Sequence, residues 1–99
     1  MLHTIKNQNS FSQALKTARR ARNLSQEAFS QVSSRTYVST LERGLKTPTI
    51  SKVDELAVVL GIHPLTLLTL SYMKSGHHKE ITRLMDDVSK ELQAILASK

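Results

Sequence analysis

Four hydrogen-bonding side chains share one face of a short helix predicted over residues 35–43. They are Arg35, Thr36, Tyr37 and Thr40. Val38 and Leu41 point the other way at helical spacing, which leaves the four on an outer face. A guanidinium can pair through two hydrogen bonds with O6 and N7 of guanine, and a threonine can contact a thymine methyl group. These residue types at this spacing predict a surface that reads DNA bases, with Tyr37 either on the DNA backbone or partly buried against the preceding helix.

A second helix is predicted directly before this one. Ser25 is its expected cap, Glu27 lies in its first turn, and three apolar residues face inward. These are Ala28, Phe29 and Val32. Ser33 and Ser34 separate the two helices, Ser34 caps the next one, and Gly44 ends it. This is the layout of a helix-turn-helix, in which the second helix enters the major groove of DNA.

Three short motifs follow one another in this stretch. They read Leu24-Ser25-Gln26-Glu27, Arg35-Thr36-Tyr37-Val38-Ser39 and Leu41-Glu42-Arg43-Gly44. Together they resemble the lambda repressor/Cro-like (XRE) family of DNA-binding domains. The segment departs from the family between the helices, where about two residues are missing and serine replaces the usual glycine. The resemblance implies an all-α domain of five short helices, here extended by a C-terminal amphipathic helix.

The resemblance also implies roles for residues around the recognition helix. Gln26 corresponds to an amide that contacts a phosphate, and Arg19 and Glu42 correspond to a structural ion pair between the first and third helices. Arg43 and the residues after it lie on the expected path of the opposite DNA strand. The complete set of expected phosphate-binding residues is Ser25, Gln26, Ser34, Arg43, Lys46 and Thr47.

Positive charge is concentrated in the half of the chain that carries these motifs. The net charge is +6, and residues 1–53 hold nine Lys and Arg against two Glu, whereas residues 54–99 hold five bases and six acids. A basic face of this kind is the electrostatic footprint of phosphate binding. We therefore expect double-stranded DNA to be a partner.

Composition argues against several other classes of protein. The chain has no cysteine, which excludes disulfides and thiolate zinc sites. His77 and His78 lack the carboxylate or thiolate neighbours of a metal site, and no catalytic motif stands out, so we expect no enzyme, no metal and no cofactor. No apolar run has the length of a membrane span and the first residues lack the core of a secretion signal. The expected location is the cytoplasm, without a membrane partner.

The pattern divides the chain into four segments. They are a flexible arm (1–9), the helix-turn-helix domain (10–72), a hinge (73–78) and a C-terminal helix for oligomerisation (79–98). Within the domain, further helices are predicted from a cap at Ser10 to about residue 22, over 50–60, and from Pro64 onward. The first two carry apolar faces, which are Phe11, Leu15 and Ala18, and then Ile50, Val53, Leu56, Ala57 and Leu60. The third carries the apolar set Leu65, Leu67, Leu68 and Leu70.

The C-terminal helix carries an apolar stripe that the resemblance does not cover. The stripe consists of Ile81, Leu84, Met85, Val88, Leu92 and Ile95, widened by Leu96. Such a stripe can fold back as a core helix, bind another protein or pair with a second copy. Because the domain core is small, we expect self-association through this helix and the helix that begins at Pro64. The expected product is a homodimer, or a tetramer, that acts as a transcriptional regulator and represses from an inverted-repeat operator. The alternatives are an antitoxin that captures a toxin through this helix, and an interaction module that does not read DNA.

Overall fold

Six helical segments follow one another in the computed structural model, which describes residues 10–98. They are α1 (Phe11–Ala21), a 3-10 helix (Gln26–Phe29), α2 (Arg35–Glu42), α3 (Ile50–Leu60), α4 (Pro64–Tyr72) and α5 (His78–Ala97). No strand occurs among the described residues, and the all-α prediction is confirmed. The predicted arm over residues 1–9 lies outside the described part.

Short polar residues set the boundaries of the central helices, as the sequence predicts. Ser34 Oγ accepts a hydrogen bond from the Tyr37 N–H at 3.0 Å and caps α2. Thr49 Oγ1 accepts one from the Lys52 N–H at 3.1 Å and caps α3. Gly61, with a φ of 71°, ends α3 in the left-handed conformation that favours glycine.

The core lies between α1, the 3-10 helix, α2, α3 and α4. Its largest fully buried apolar side chains are Phe29, Leu15, Leu41, Leu56, Leu67 and Val38. α1 packs against α4 and α2, α3 packs against α4, and the 3-10 helix packs against α2. Burial of each such side chain contributes about 1.5–3 kcal/mol, so this cluster holds the helix-turn-helix to the rest of the domain.

The prediction of a full helix before α2 is wrong, because only one 3-10 turn forms there. Ser25 makes no side-chain cap bond and Ala28 is exposed. The carbonyl of Phe29 accepts hydrogen bonds from the N–H groups of Val32 and Ser33, at 2.9 and 2.8 Å, so the chain turns directly after Phe29. Residues 30–34 are rich in serine, which favours turns over helix interiors.

Two smaller predictions are also wrong. Ser10 makes no side-chain cap bond, and its N–H instead donates to the Ser71 carbonyl at 2.7 Å. Ile50, predicted on the apolar stripe of its helix, is 80% exposed on an open groove. Leu65 is also exposed, at 64%, beside the space between α4 and α5. Helical spacing identified the face of each helix, but burial also requires a neighbour, and none of the described elements covers these two positions.

α5 has no buried residue. The alternative that the C-terminal helix folds back and joins the core of its own chain is therefore wrong. Its connection to α4 closes around Glu80, whose carboxylate accepts hydrogen bonds from the N–H groups of Lys74, Ser75 and Gly76 at 2.6, 2.8 and 3.2 Å. These bonds lower the pKa of Glu80 to about 2. The stretch predicted as a hinge is thus a loop organised by one carboxylate.

Within residues 10–98, no single helix is long and apolar enough to cross a membrane. α3 and α4 reach that length only together, across a bend of 106°. Both helices contribute buried residues to the core.

Candidate nucleic-acid interface

α2 turns one face to the core and its first turn to solvent. Val38 and Leu41 are fully buried, and they anchor the helix against α1 and the 3-10 helix. With these residues inside, Arg35 and Thr36 are exposed at the N-terminal end. The N-terminal turn of a recognition helix is the part that reaches base edges in helix-turn-helix complexes.

A concavity of about 300 Å³ lies between the 3-10 helix and α2. Its lining residues are Gln26, Arg35, Thr36, Ser39 and Arg43. It therefore brings two predicted base-reading residues together with two predicted phosphate-binding residues. Ser39 was not among the predicted site residues, although its position four residues after Arg35 places both on one side of the helix.

Tyr37 and Thr40 lie at the edge of this surface. Tyr37 is half-buried against the core, and its ring centroid is 5.7 Å from Lys52 Nζ and 6.0 Å from Lys46 Nζ, a spacing typical of cation–π contacts. The Thr40 hydroxyl donates to the Thr36 carbonyl at 2.8 Å. Of the two alternatives for Tyr37, the structure favours the partly buried one.

An ion pair braces the C-terminal end of α2 against α1. The Arg19 guanidinium donates to the two carboxylate oxygens of Glu42 at 2.6 and 2.9 Å, and to the Leu24 carbonyl at 2.9 Å. The Gln26 amide donates to the same carboxylate at 3.2 Å. Glu42 is almost fully buried, with 2% of its side chain exposed. Gln26, for which the resemblance implied only a phosphate contact, is thus tied into the brace.

Glu42 stays ionised in this buried position. Burial by itself raises the pKa of the carboxyl, but the hydrogen bonds from Arg19 and Gln26, with the charges of Arg19 and Lys16, outweigh burial and lower the pKa of Glu42. The hydrogen bond to Glu42 likewise raises the pKa of Arg19. A charged carboxylate held by a bidentate guanidinium is a strong and geometrically specific contact.

The other predicted phosphate-binding residues flank α2 at its two ends. Ser25 precedes the 3-10 helix and is exposed, and Ser34 uses its hydroxyl oxygen to cap α2. Arg43 follows α2 directly, and Lys46 and Thr47 lie in the next loop, all three exposed. α2 is therefore bordered on both sides by exposed donors.

Lys52 is one of the nine basic residues that the sequence places in the positively charged half of the chain, but its side chain points into the domain. Its Nζ donates to the Val32 carbonyl at 2.6 Å, and 22% of its side chain is exposed. The sequence contains one indication of this role. Lys52 lies in the first turn of α3, where a positive charge is unfavourable because it faces the positive end of the helix dipole.

Within residues 10–98, no group of three or more His, Cys, Asp or Glu is placed to hold a metal ion. His77 and His78 are both exposed. The surface around α2 instead presents hydrogen-bond donors and positive charge.

A braced helix with an exposed first turn, preceded by a short helical turn, defines a helix-turn-helix domain. A family model described as helix-turn-helix matches residues 15–67, more than half of the chain. The chain therefore belongs to this family, the lambda repressor/Cro-like XRE type, which is a family of DNA-binding transcription regulators and not of enzymes. No curated protein and no solved structure matches the chain. The match ends within α4, so α5 lies outside it.

Proposed function

We propose that the chain is a sequence-specific repressor that binds an inverted-repeat operator as a homodimer. The observation that carries this proposal is the exposure of Arg35 and Thr36 on the first turn of α2, within the basic half of the chain. Each copy would insert one α2 into the major groove, and occupation of the operator would block transcription.

Base reading is assigned to Arg35 and Thr36, the two exposed candidates. Arg35 would pair with O6 and N7 of a guanine, and Thr36 would contact a neighbouring thymine methyl group. Thr40, which is half-buried, would lie against the sugar-phosphate backbone, whereas Tyr37 packs against the core beside Lys46 and Lys52. Gln26 donates to Glu42, and its amide has a second N–H that can serve a phosphate.

The apolar stripe of α5 supports pairing with a second copy. Exposure along it rises from 38% at Ile81 through 53% at Leu92 to 64% at Ile95. Its N-terminal half borders an apolar groove of about 610 Å³ between α4 and α5, whose walls include Leu65, Leu68 and Leu84. Residues 79–98 carry three bases and four acids, so this helix lacks the positive excess of the α2 half and suits a like helix better than DNA.

Selection of binding sites from random duplex DNA tests the proposal. We expect an enriched inverted repeat whose half-sites lie about one helical turn (~34 Å) apart, because a symmetric dimer presents its two recognition helices at that separation. Enrichment of a single half-site would contradict the dimer. Absence of any enriched motif at low salt would favour the non-reading interaction module.

The oligomeric state in solution distinguishes the homodimeric repressor from the remaining alternative, an antitoxin. We expect the purified chain to sediment as a dimer. A monomer that becomes stable only with a co-encoded small protein bound to α5 would favour the antitoxin alternative.

A further inference from the structure

Lys52 occupies a position that ordinary helix chemistry disfavours. It lies in the first turn of α3, three residues after the cap Thr49, where a positive charge faces the positive end of the helix dipole. Its side chain is also mostly buried. Neither feature suits a lysine whose only task is to add charge to a DNA-binding face, since such a side chain extends into solvent.

Three contacts compensate for this placement. Nζ donates to the Val32 carbonyl at 2.6 Å, pairs with Glu55 at 2.8 Å, and lies 5.7 Å from the centroid of the Tyr37 ring. Glu55 neutralises the charge from within the same helix. The other two contacts reach across the domain, to the turn before α2 and to the first turn of α2 itself.

The Val32 carbonyl belongs to the compressed part of the helix-turn-helix. The chain turns directly after Phe29, and one carbonyl there accepts the N–H groups of both Val32 and Ser33. Because the preceding helix has only one 3-10 turn, the usual helix-to-helix packing that orients a recognition helix is reduced at this end. Lys52 bridges that turn to α3, and its ammonium also contacts the Tyr37 ring in the first turn of α2.

We propose that Lys52 is a positioning residue that sets the angle of α2, and hence the aim of Arg35 and Thr36. The brace of Arg19, Gln26 and Glu42 holds the C-terminal end of α2, and Lys52 holds the N-terminal end. The proposal rests on the proposed function, in which α2 reads bases. In this role Lys52 acts on sequence preference through α2 and makes no phosphate contact.

Two matched variants of the full chain test the proposal. Lys52→Met keeps the aliphatic stem and removes the ammonium, and Lys46→Met does the same to the exposed lysine near the same ring. The measurement is affinity for the selected operator and for a scrambled duplex, each at several salt concentrations. We expect Lys52→Met to lower the operator-to-scrambled ratio about tenfold with an unchanged salt slope. Lys46→Met should keep the ratio and reduce the slope by about 1.

Lys52→Arg is the conservative variant and should recover most of the ratio, since a guanidinium can still donate to the Val32 carbonyl. A Lys52→Met protein that is folded by circular dichroism, keeps its ratio and loses salt slope would show that Lys52 is a phosphate contact, which overturns the proposal. A folded variant with both quantities unchanged overturns it as well.

A measurement without DNA distinguishes failure of this proposal from failure of the proposed function. In the wild-type protein, NMR should show slower hydrogen exchange at the Lys52 ammonium than at that of Lys46, with contacts from Lys52 to the Tyr37 ring. In Lys52→Met, the amide signals of residues 32–36 should shift, whereas in Lys46→Met those of Val32 and Ser33 should not. Equal exchange at the two lysines in the wild-type protein would overturn the proposal even if Lys52→Met fails to fold.

Discussion

Arg35 and Lys46 are both exposed cations of the proposed DNA-binding surface, yet they are expected to act differently on binding. Arg35 lies on the first turn of α2, whereas Lys46 lies in the loop that follows it. A base contact discriminates between sequences, and a phosphate contact adds affinity on every sequence and weakens as salt rises.

Arg35→Ala should cost about 1–3 kcal/mol of binding free energy on the selected operator and relax the preference at one base pair in each half-site. Lys46→Ala should weaken binding to all duplexes alike. Titration of the operator and of singly substituted duplexes measures both effects. An equal loss on every duplex for the two variants would show that Arg35 reads no base.

Glu42→Ala should destabilise the domain by about 3 kcal/mol, because it leaves the largely buried Arg19 guanidinium without its carboxylate. For a domain of this size the midpoint of thermal unfolding should fall by more than about 10 °C. Glu91→Ala, at an exposed position on α5, is the control and should melt like the parent protein. A Glu42→Ala melt that matches the parent would rule out the bracing role.

Helices in this protein are held by contacts at their ends as much as by their faces. α2 has the ion pair at one end and its serine cap at the other, and α5 begins with a loop wrapped around Glu80. The loop contacts involve one ionisable group, so acid should release them.

The Glu80 loop should open at low pH. The pKa of Glu80 is lowered from 4.5 to about 2 in the folded protein, so its contribution is fully present above pH 4.5 and is lost as the pH falls towards 2. The amide signals of Ser75 and Gly76 should therefore titrate with a midpoint near 2 in NMR spectra. Glu80→Gln should abolish that titration, and a midpoint near 4.5 in the wild-type protein would contradict the observed hydrogen bonds.

The molecule separates its two proposed tasks in space and in charge. The basic half carries α2, and the near-neutral C-terminal helix extends the described residues to 43 × 27 × 24 Å. In a dimer paired through α5, the two recognition helices would have to lie about 34 Å apart to enter successive turns of the major groove.

Leu92→Asp should convert the proposed dimer to a monomer, because it places a charge in the C-terminal half of the apolar stripe. Val58→Asp is the matched control, since Val58 is also an exposed apolar residue, 77% exposed, but lies on α3. Analytical ultracentrifugation should show a monomer only for Leu92→Asp. In DNA titrations, the same variant should bind the full operator more weakly and a half-site with unchanged affinity. Identical sedimentation of the two variants would exclude pairing through α5.

Much of the fold could be predicted from local patterns. The motifs from Leu24 to Gly44 identified the family, and the spacing of Val53, Leu56 and Leu60 identified the buried face of α3. These features can be predicted because they depend on residues within one or two helical turns of each other in the sequence. The resemblance likewise supplied the partners Arg19 and Glu42, which lie 23 residues apart.

Tertiary packing decided the features that depend on distant groups. Ser25 and Glu27 carry the signals of a normal helix start, yet the segment forms only a 3-10 turn, which packs on α2 and α3 with Phe29 fully buried. The sequence predicts that Lys52 is a surface charge, but its ammonium donates a hydrogen bond to the Val32 carbonyl, 20 residues away, and its side chain is mostly buried. A sequence pattern reports which face of a helix a residue occupies. Which remote carbonyl, ring or carboxylate that residue meets follows only from how the helices pack.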